Sequence, residues 1–159
     1  MLFRSVAQAP GVNDQWFQSL IQPQLNVHIV KSNTYALLRH SKAALVASGT
    51  ATLETALLNV PQVVCYKGSS ITYALAKFFV KIKFIALVNL IMEKEVVKEL
   101  IQDNLNTKNL VTELAKLLED SKTQKQINDD YAALKEILMS GEKATDLAAE
   151  IIIETIQKK

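Results

Sequence analysis

The residues best suited to bind a ligand are the turn Ser48-Gly49-Thr50 and the acid Glu54 that follows it. The turn joins a short apolar run, residues 43–47, to a predicted helix. Gly49 lets the backbone approach a ligand closely, and the free N–H groups at a helix N-terminus attract phosphate. Glu54 lies one helical turn after Thr50, so its carboxylate can accept hydrogen bonds from ribose hydroxyls beside that phosphate. The pattern predicts a phosphate cradle with an acid next to it.

A purely structural role explains the same residues. Ser48 or Thr50 can cap the helix, and Glu54 can complement the helix dipole. A capping box would place Glu or Gln three residues after the cap, and neither Ser48 nor Thr50 has one at that position. On spacing alone the two interpretations stay open.

Alternating strands and helices are predicted around this turn. Apolar runs without polar alternation are typical of strands covered on both faces, as in a parallel sheet between helices. We therefore predict an α/β fold with a Rossmann-like parallel sheet, one lobe over residues 1–120 and carboxyl-terminal helices over residues 121–159. The predicted strands are 2–7, 27–30, 43–47, 62–66 and 84–88; the later predicted helices are 70–82, 95–102, 107–119, 122–139 and 143–157.

Two further polar side chains follow predicted strands. Lys67 comes after residues 62–66, and Asn89 comes after residues 84–88. Because the carboxyl ends of parallel strands open on one edge of a sheet, Lys67 can reach a ligand bound at Gly49. Asn89 offers both a donor and an acceptor. A loop lysine on its own is more typical of a solvated side chain, so Lys67 is a candidate only through its neighbours.

Composition narrows the classes of function. The formal net charge of +2 has mixed signs and no aromatic-interleaved basic tract, so we expect no nucleic-acid partner. The lone Cys65 fits a reducing cytoplasm, and no signal peptide or bilayer-spanning run is present in the sequence. His28 and His40 have no carboxylate or thiol spaced around them as a ligand set, so we expect no metal. We predict a cytoplasmic protein that is soluble or peripheral on a membrane.

The predicted helix 70–82 combines an apolar face with Lys77 and Lys81. This pattern is typical of a helix packed on a sheet with its lysines in water. It also fits a basic surface that touches anionic lipid, if some of its phenylalanines are exposed. The sequence leaves both interpretations open.

The assembled pattern resembles the carboxyl-terminal half of the lipid-A-disaccharide synthase family, bacterial glycosyltransferases of the GT-B class. The strongest part is AALVASGTATLE at residues 43–54, followed by PQVVCYK at 61–67. The resemblance continues through YALAK at 73–77, VNLI at 88–91 and VVKELIQ at 96–102, and so covers nearly the whole chain.

The resemblance implies that this lobe holds the UDP part of UDP-2,3-diacylglucosamine. The whole enzyme would transfer the sugar, with inversion, to 2,3-diacylglucosamine 1-phosphate in lipid A biosynthesis. The general base would lie in an amino-terminal lobe, so no catalytic residue is expected in this chain, and neither a cofactor nor a metal. The implied contacts are Ser48, Gly49, Thr50 and Ala51 with the diphosphate, Glu54 with the ribose, and Lys67 and Asn89 beside the donor.

Several departures from the family pattern matter. The amino-terminal lobe and a Gly-Ser-Arg loop at the start of the second lobe are not found in this sequence, so we expect a fragment that is inactive alone. Met-Glu-Lys at residues 92–94 stands where many relatives have a small residue followed by glycine. Lys67 stands where an arginine is often found, and it gives a point charge instead of a bidentate fork. The partners implied are the UDP-sugar donor, the amino-terminal lobe, a second copy of the chain packed through the carboxyl-terminal helices, and the inner membrane.

Two rival functions fit parts of the same pattern. Another UDP-sugar transferase of the same architecture would share these residues and differ in donor selectivity. A flavodoxin-like interaction module that accepts a phosphoryl group would need an aspartate at a strand end. The predicted strands end instead at Ala7, Val30, Ala47 and Tyr66, which argues against that class.

Overall fold

The computed structural model describes residues 4–21, 26–69, 83–140, 149, 151–153 and 155–156. Strands and helices alternate over most of this length, and two long helices follow. The elements are β1 Arg4–Gln8, α1 Asp14–Ser19, β2 Val27–Lys31, α2 Thr34–Arg39, β3 Ala44–Ala47, α3 Thr50–Leu57, β4 Gln62–Tyr66, α4 Leu87–Met92, β5 Lys98–Ile101, a 3-10 turn Gln102–Asn104, α5 Thr107–Glu119 and α6 Ser121–Met139.

Every strand pair in the described residues is parallel. β1 pairs with β2, and β4 lies between β3 and β5. Because β4 is hydrogen-bonded on both sides and covered by helices, Gln62, Val63 and Val64 are fully buried. The predicted α/β class with parallel strands is confirmed. The pairing forms two separate ladders in these residues, and α2, which lies between them in sequence, packs against β1 and β2.

Two predicted elements around residues 84–102 are wrong. The predicted strand 84–88 is not found: residues 84–86 belong to no strand, and residues 87–92 form helix α4. Within the predicted helix 95–102, residues 98–101 form strand β5. A short apolar run does not by itself distinguish a buried helix from a buried strand. Here pairing with β4 decides the conformation of Lys98–Ile101, because strand formation depends strongly on the tertiary partner.

Helices α1, α5 and α6 begin with side-chain caps. Asn13 accepts a hydrogen bond from the backbone N–H of Trp16, Asn106 accepts one from Asn109, and Asp120 accepts one from Lys122. The predicted helices 107–119 and 122–139 are confirmed. The predicted helix 70–82 lies outside the described residues. Of the predicted helix 143–157, the described residues are helical.

The core lies between the β3–β4–β5 sheet and the helices α3 to α6. Helix α6 contributes Ile127, Tyr131 and Leu134 to the same cluster as the β4 valines, so this helix packs on the lobe. The isoleucines after it, at residues 151–153 and 156, are more than half exposed. No helix in the described ranges is both long and apolar enough to cross a bilayer.

Removing the Tyr131 hydroxyl is expected to destabilise the chain. The buried hydroxyl accepts from Gln62 Nε2 and donates to the Val60 carbonyl, both at 3.3 Å, and burial raises the pKa of Tyr131. Tyr131→Phe leaves the Val60 carbonyl without this donor, which costs about 1–2 kcal/mol in urea-induced unfolding. Tyr35→Phe, at an exposed position, should change stability by less than about 0.5 kcal/mol. Equal effects of the two substitutions would contradict the role of this contact.

Candidate functional site

The turn between β3 and α3 has a backbone conformation that favours glycine. Gly49 occupies the position before the helix with φ 152° and ψ −164°, a region that residues with a Cβ rarely adopt. No side chain caps α3, so neither Ser48 nor Thr50 plays the capping role that the sequence left open. In the described residues, Thr52 N–H donates to the Gly49 carbonyl, while no hydrogen bond engages the N–H groups of Thr50 and Ala51. The exposed turn therefore presents unpaired donors at a helix N-terminus.

Ser48 ties this turn to two neighbouring segments. Its backbone N–H donates to the Cys65 carbonyl on β4 at 3.0 Å, and its hydroxyl donates to the Ile85 carbonyl at 3.3 Å. The first bond continues the ladder between β3 and β4 into the turn. The second joins the turn to the segment that precedes α4. Ser48 thus holds the turn in place from both sides.

Glu54 and Tyr35 form the next part of the site. Glu54 is half-buried on α3, one turn after Thr50. The Glu54 carboxylate lies close enough to the Tyr35 hydroxyl to raise the pKa of Tyr35. The Tyr35 side chain is 58% exposed at the start of α2. Sequence analysis missed Tyr35 because nothing in the local spacing shows that α2 lies beside α3.

Lys67 follows β4 at the same edge of the sheet as the turn, and it is exposed. The Gly68 N–H donates to Gln102 Oε1 at 3.1 Å, which links the loop after β4 to the end of β5. Any Cβ at residue 68 would lie 2.9 Å from the Tyr66 hydroxyl, so the aromatic ring covers this glycine closely. The carboxyl ends of β3, β4 and β5 thus open together, as predicted for Gly49 and Lys67.

Asn89 does not lie where the sequence placed it. It is inside α4 and fully buried, so its predicted position at a strand end is wrong. Its Nδ2 donates to the Val97 carbonyl and to Glu99 Oε1 at 2.8 and 2.9 Å, and its Oδ1 accepts from the N–H groups of Val96 and Val97 at 2.8 and 2.9 Å. The amide is occupied by the chain itself and fastens α4 to the residues before β5.

Glu99 is a second residue that sequence analysis missed. Its carboxylate accepts from the N–H groups of Ile85 and Ala86 as well as from Asn89. The available signal was an acid within a largely apolar stretch, VVKELI at residues 96–101. The predicted helix 95–102 concealed that signal, because the stretch forms strand β5.

A concavity away from the β3–α3 turn lies toward the amino ends of β4 and β5. Its volume is about 320 Å³, and Val63, Lys98, Lys116 and Asp130 are among the residues that line it. Its lysines are paired: Lys116 contacts Glu113 at 2.8 Å, and Lys98 contacts Glu95 at 3.0 Å. Asp130 pairs in turn with Lys94 at 2.6 Å. With these charges matched internally, the carboxyl edge offers the better site for an anion.

Comparison with known proteins relates this geometry to a family. Residues 6–153 match the family described as lipid-A-disaccharide synthetase. The chain is 36% identical over 157 residues to a lipid-A-disaccharide synthase of Colwellia psychrerythraea, an alignment covering 95% of this chain and 39% of that protein. It is 35% identical over 158 residues to the synthase of Actinobacillus pleuropneumoniae, covering 93% and 40%, and 38% identical over 142 residues to that of Psychromonas ingrahamii, covering 89% and 36%.

The chain therefore spans about two fifths of the length of the curated relatives that it matches. The matched region includes the β3–α3 turn, the loop after β4, and both Asn89 and Glu99. With a family match over most of its residues, the chain belongs to the lipid-A-disaccharide synthetase family.

Proposed function

We propose that this chain is the donor-nucleotide lobe, the carboxyl-terminal half, of a lipid-A-disaccharide synthase. That enzyme would transfer 2,3-diacylglucosamine from UDP to 2,3-diacylglucosamine 1-phosphate. The observation that carries the proposal is the uncapped N-terminus of α3, opened by Gly49 at the carboxyl end of a buried strand. Family membership supports it, because relatives of this chain carry the name of that enzyme.

The turn would bind the diphosphate. The N–H groups of Thr50 and Ala51 have no acceptor among the described residues, and the positive end of the α3 dipole adds to their attraction for an anion. As the glycosidic bond breaks, the leaving UDP gains negative charge. Fixed backbone donors stabilise that charge without any need to reorganise, which favours the transition state over the ground state.

Glu54 would hold the ribose. An ionised carboxylate accepts hydrogen bonds from two neighbouring hydroxyls. Glu54 lies one helical turn after Thr50 on the same face of α3, next to the proposed diphosphate position. The Tyr35 hydroxyl lies near this carboxylate, so a bound ribose would share the carboxylate with Tyr35 or displace the hydroxyl. The exposed Tyr35 ring would border the nucleoside side of the site.

Lys67 would add a cation beside the diphosphate from the loop after β4, as a point charge. Asn89 would serve the site indirectly, since all of its amide hydrogen bonds are made within the chain. We place the site within a lobe over residues 1–120, with the helices of residues 121–159 packing on that lobe, on the amino-terminal lobe or on a second copy of the chain. The general base and acceptor site would belong to an amino-terminal lobe, so this chain would bind UDP without catalysing transfer.

Calorimetric titration with UDP, in metal-free buffer, tests the proposal. We expect the chain to bind UDP and to bind AMP more weakly. Glu54→Ala should raise the Kd for UDP about tenfold to a hundredfold, since hydrogen bonds to a charged group contribute about 1.5–3 kcal/mol. Glu119→Ala removes an equal charge from the exposed end of α5 and should leave the Kd unchanged.

Either of two results would contradict this proposal. Folded chain that does not bind UDP at millimolar concentration would remove the nucleotide role. Binding that is unaffected by Glu54→Ala would remove the ribose role of Glu54 and leave the diphosphate cradle as the remaining contact.

A further inference from the structure

The Glu99 carboxylate is an unusual feature of β5, because its oxygens accept from a different segment of the chain. Glu99 Oε1 accepts from Ile85 N–H at 3.1 Å, from Ala86 N–H at 2.9 Å and from Asn89 Nδ2 at 2.9 Å, and Oε2 accepts from Ile85 N–H at 3.0 Å. These donors lie 10 to 14 residues away in sequence. A single half-buried side chain thus holds the approach to α4 against β5.

The segment that Glu99 holds cannot cap its own helix. Ala86 precedes α4 and is fully buried, and its side chain has no oxygen with which to accept a hydrogen bond. Glu99 supplies the missing acceptor from strand β5, and its negative charge is attracted to the positive end of the α4 dipole. Without that carboxylate, the N–H groups of Ile85 and Ala86 would lose their acceptor in a partly buried setting, which is costly.

The same segment reaches the phosphate cradle. Ile85 donates its N–H to Glu99, and its carbonyl accepts from the Ser48 hydroxyl at 3.3 Å. The only hydroxyl proton of Ser48 therefore points toward Ile85. Ser48 is free to accept a further hydrogen bond but not to donate one, unless it releases Ile85. The donors for an anion at this turn are then the backbone N–H groups that follow Ser48.

We propose that Glu99 is a positioning residue of the donor site, acting through Ile85 and Ser48 to fix the turn that precedes α3. The inference rests on the proposed function for its effect on UDP, while the hydrogen-bond chain from Glu99 to Ser48 is independent of any ligand. Glu99 itself lies behind Ile85 and does not need to touch the nucleotide.

Glu99→Gln tests the proposal with little change in side-chain volume. Glutamine retains one acceptor oxygen and turns the other position into a donor that faces the Ile85 N–H. We expect the Kd for UDP to rise about tenfold. Glu95→Gln is the matched control: it removes a carboxylate four residues earlier that contacts only Lys98 among the described residues, and it should leave the Kd unchanged.

A double-mutant cycle with Ser48→Ala separates positioning from a general loss of stability. If Glu99 acts through Ser48, the variant carrying both substitutions should bind UDP about as weakly as the weaker single variant, because both break one chain of contacts. If the double variant raised the Kd by the product of the two single fold-changes, Glu99 and Ser48 would contribute independently, and the proposed connection would be overturned.

A measurement without ligand keeps the inference separate from the proposed function. In amide NMR spectra of the free chain, Glu99→Gln should shift the Gly49 and Thr50 resonances, and Glu95→Gln should not. If the chain fails to bind UDP but these shifts occur, the proposed function fails and the structural connection stands. If Glu99→Gln does not fold, Ser48→Ala must still shift the Ile85 amide; unchanged resonances at Ile85 would overturn the connection.

Discussion

Gly49→Ala is expected to weaken UDP binding about fivefold to a hundredfold and to destabilise the chain by about 1–3 kcal/mol, the usual cost of a side chain in a glycine-only backbone region. Apart from its chain neighbours, no atom of the described residues lies within 4 Å of the position that a Cβ would occupy, so the effect would come from the backbone and not from a steric clash. To relieve the strain, residue 49 would rotate, and the N–H groups of Thr50 and Ala51 would no longer converge on one anion. Titration calorimetry and urea unfolding measure the two effects.

Gly11→Ala is the matched control for this prediction. Gly11 also has a positive φ, of 83°, and its Cβ position is equally open in the part of the chain that the structure describes, but it lies in the turn between β1 and α1. We expect Gly11→Ala to destabilise the chain to a similar extent and to leave UDP binding unchanged. If both variants lose affinity equally, the loss follows from reduced stability, and the conformation of Gly49 has no special role in binding.

Asn89→Leu is expected to produce the largest loss of stability, about 3–5 kcal/mol, because it removes every hydrogen bond that the buried Asn89 amide makes to Val96, Val97 and Glu99. The N–H groups of Val96 and Val97 both donate to Asn89 Oδ1, and both residues are buried. Leucine has a similar volume, so little of the effect would come from an empty space. The free energy of unfolding in urea gives the measurement.

Asn128→Leu, at an exposed position on α6, should change the free energy of unfolding by less than about 0.5 kcal/mol. One result for Asn89→Leu would contradict the structural role of Asn89. If this variant kept wild-type stability and lost only UDP binding, the Asn89 amide would have to contact the donor directly, as the family resemblance implied, and the buried network would be incidental.

The part of the site that the sequence predicts well is local. The apolar run of β3, the glycine in the turn and the acid one helical turn later all lie within residues 43–54, and local rules of strand, turn and helix relate them. The parallel arrangement follows from the same runs, since strands covered on both faces are typical of such sheets. These features therefore follow from the amino-acid sequence alone.

The parts that the sequence does not predict depend on distant contacts. Residues 87–92 and 98–101 exchange the predicted strand and helix because β5 pairs with β4, a strand far earlier in the chain. The roles of Asn89 and Glu99 follow from this arrangement. Asn89 on α4 binds the residues before β5, and Glu99 on β5 binds the residues before α4. Tyr35 reaches Glu54 only because α2 and α3 meet in the fold.

The most direct test of the donor-lobe assignment is a titration of the isotopically labelled chain with UDP, followed through its backbone amide resonances. We expect the largest shifts to fall on Gly49, Thr50 and Ala51, with smaller shifts at Glu54 and Lys67. The assignment would be contradicted if no resonance shifted, or if the shifts fell at the opposite edge of the sheet, on Lys98 and Lys116.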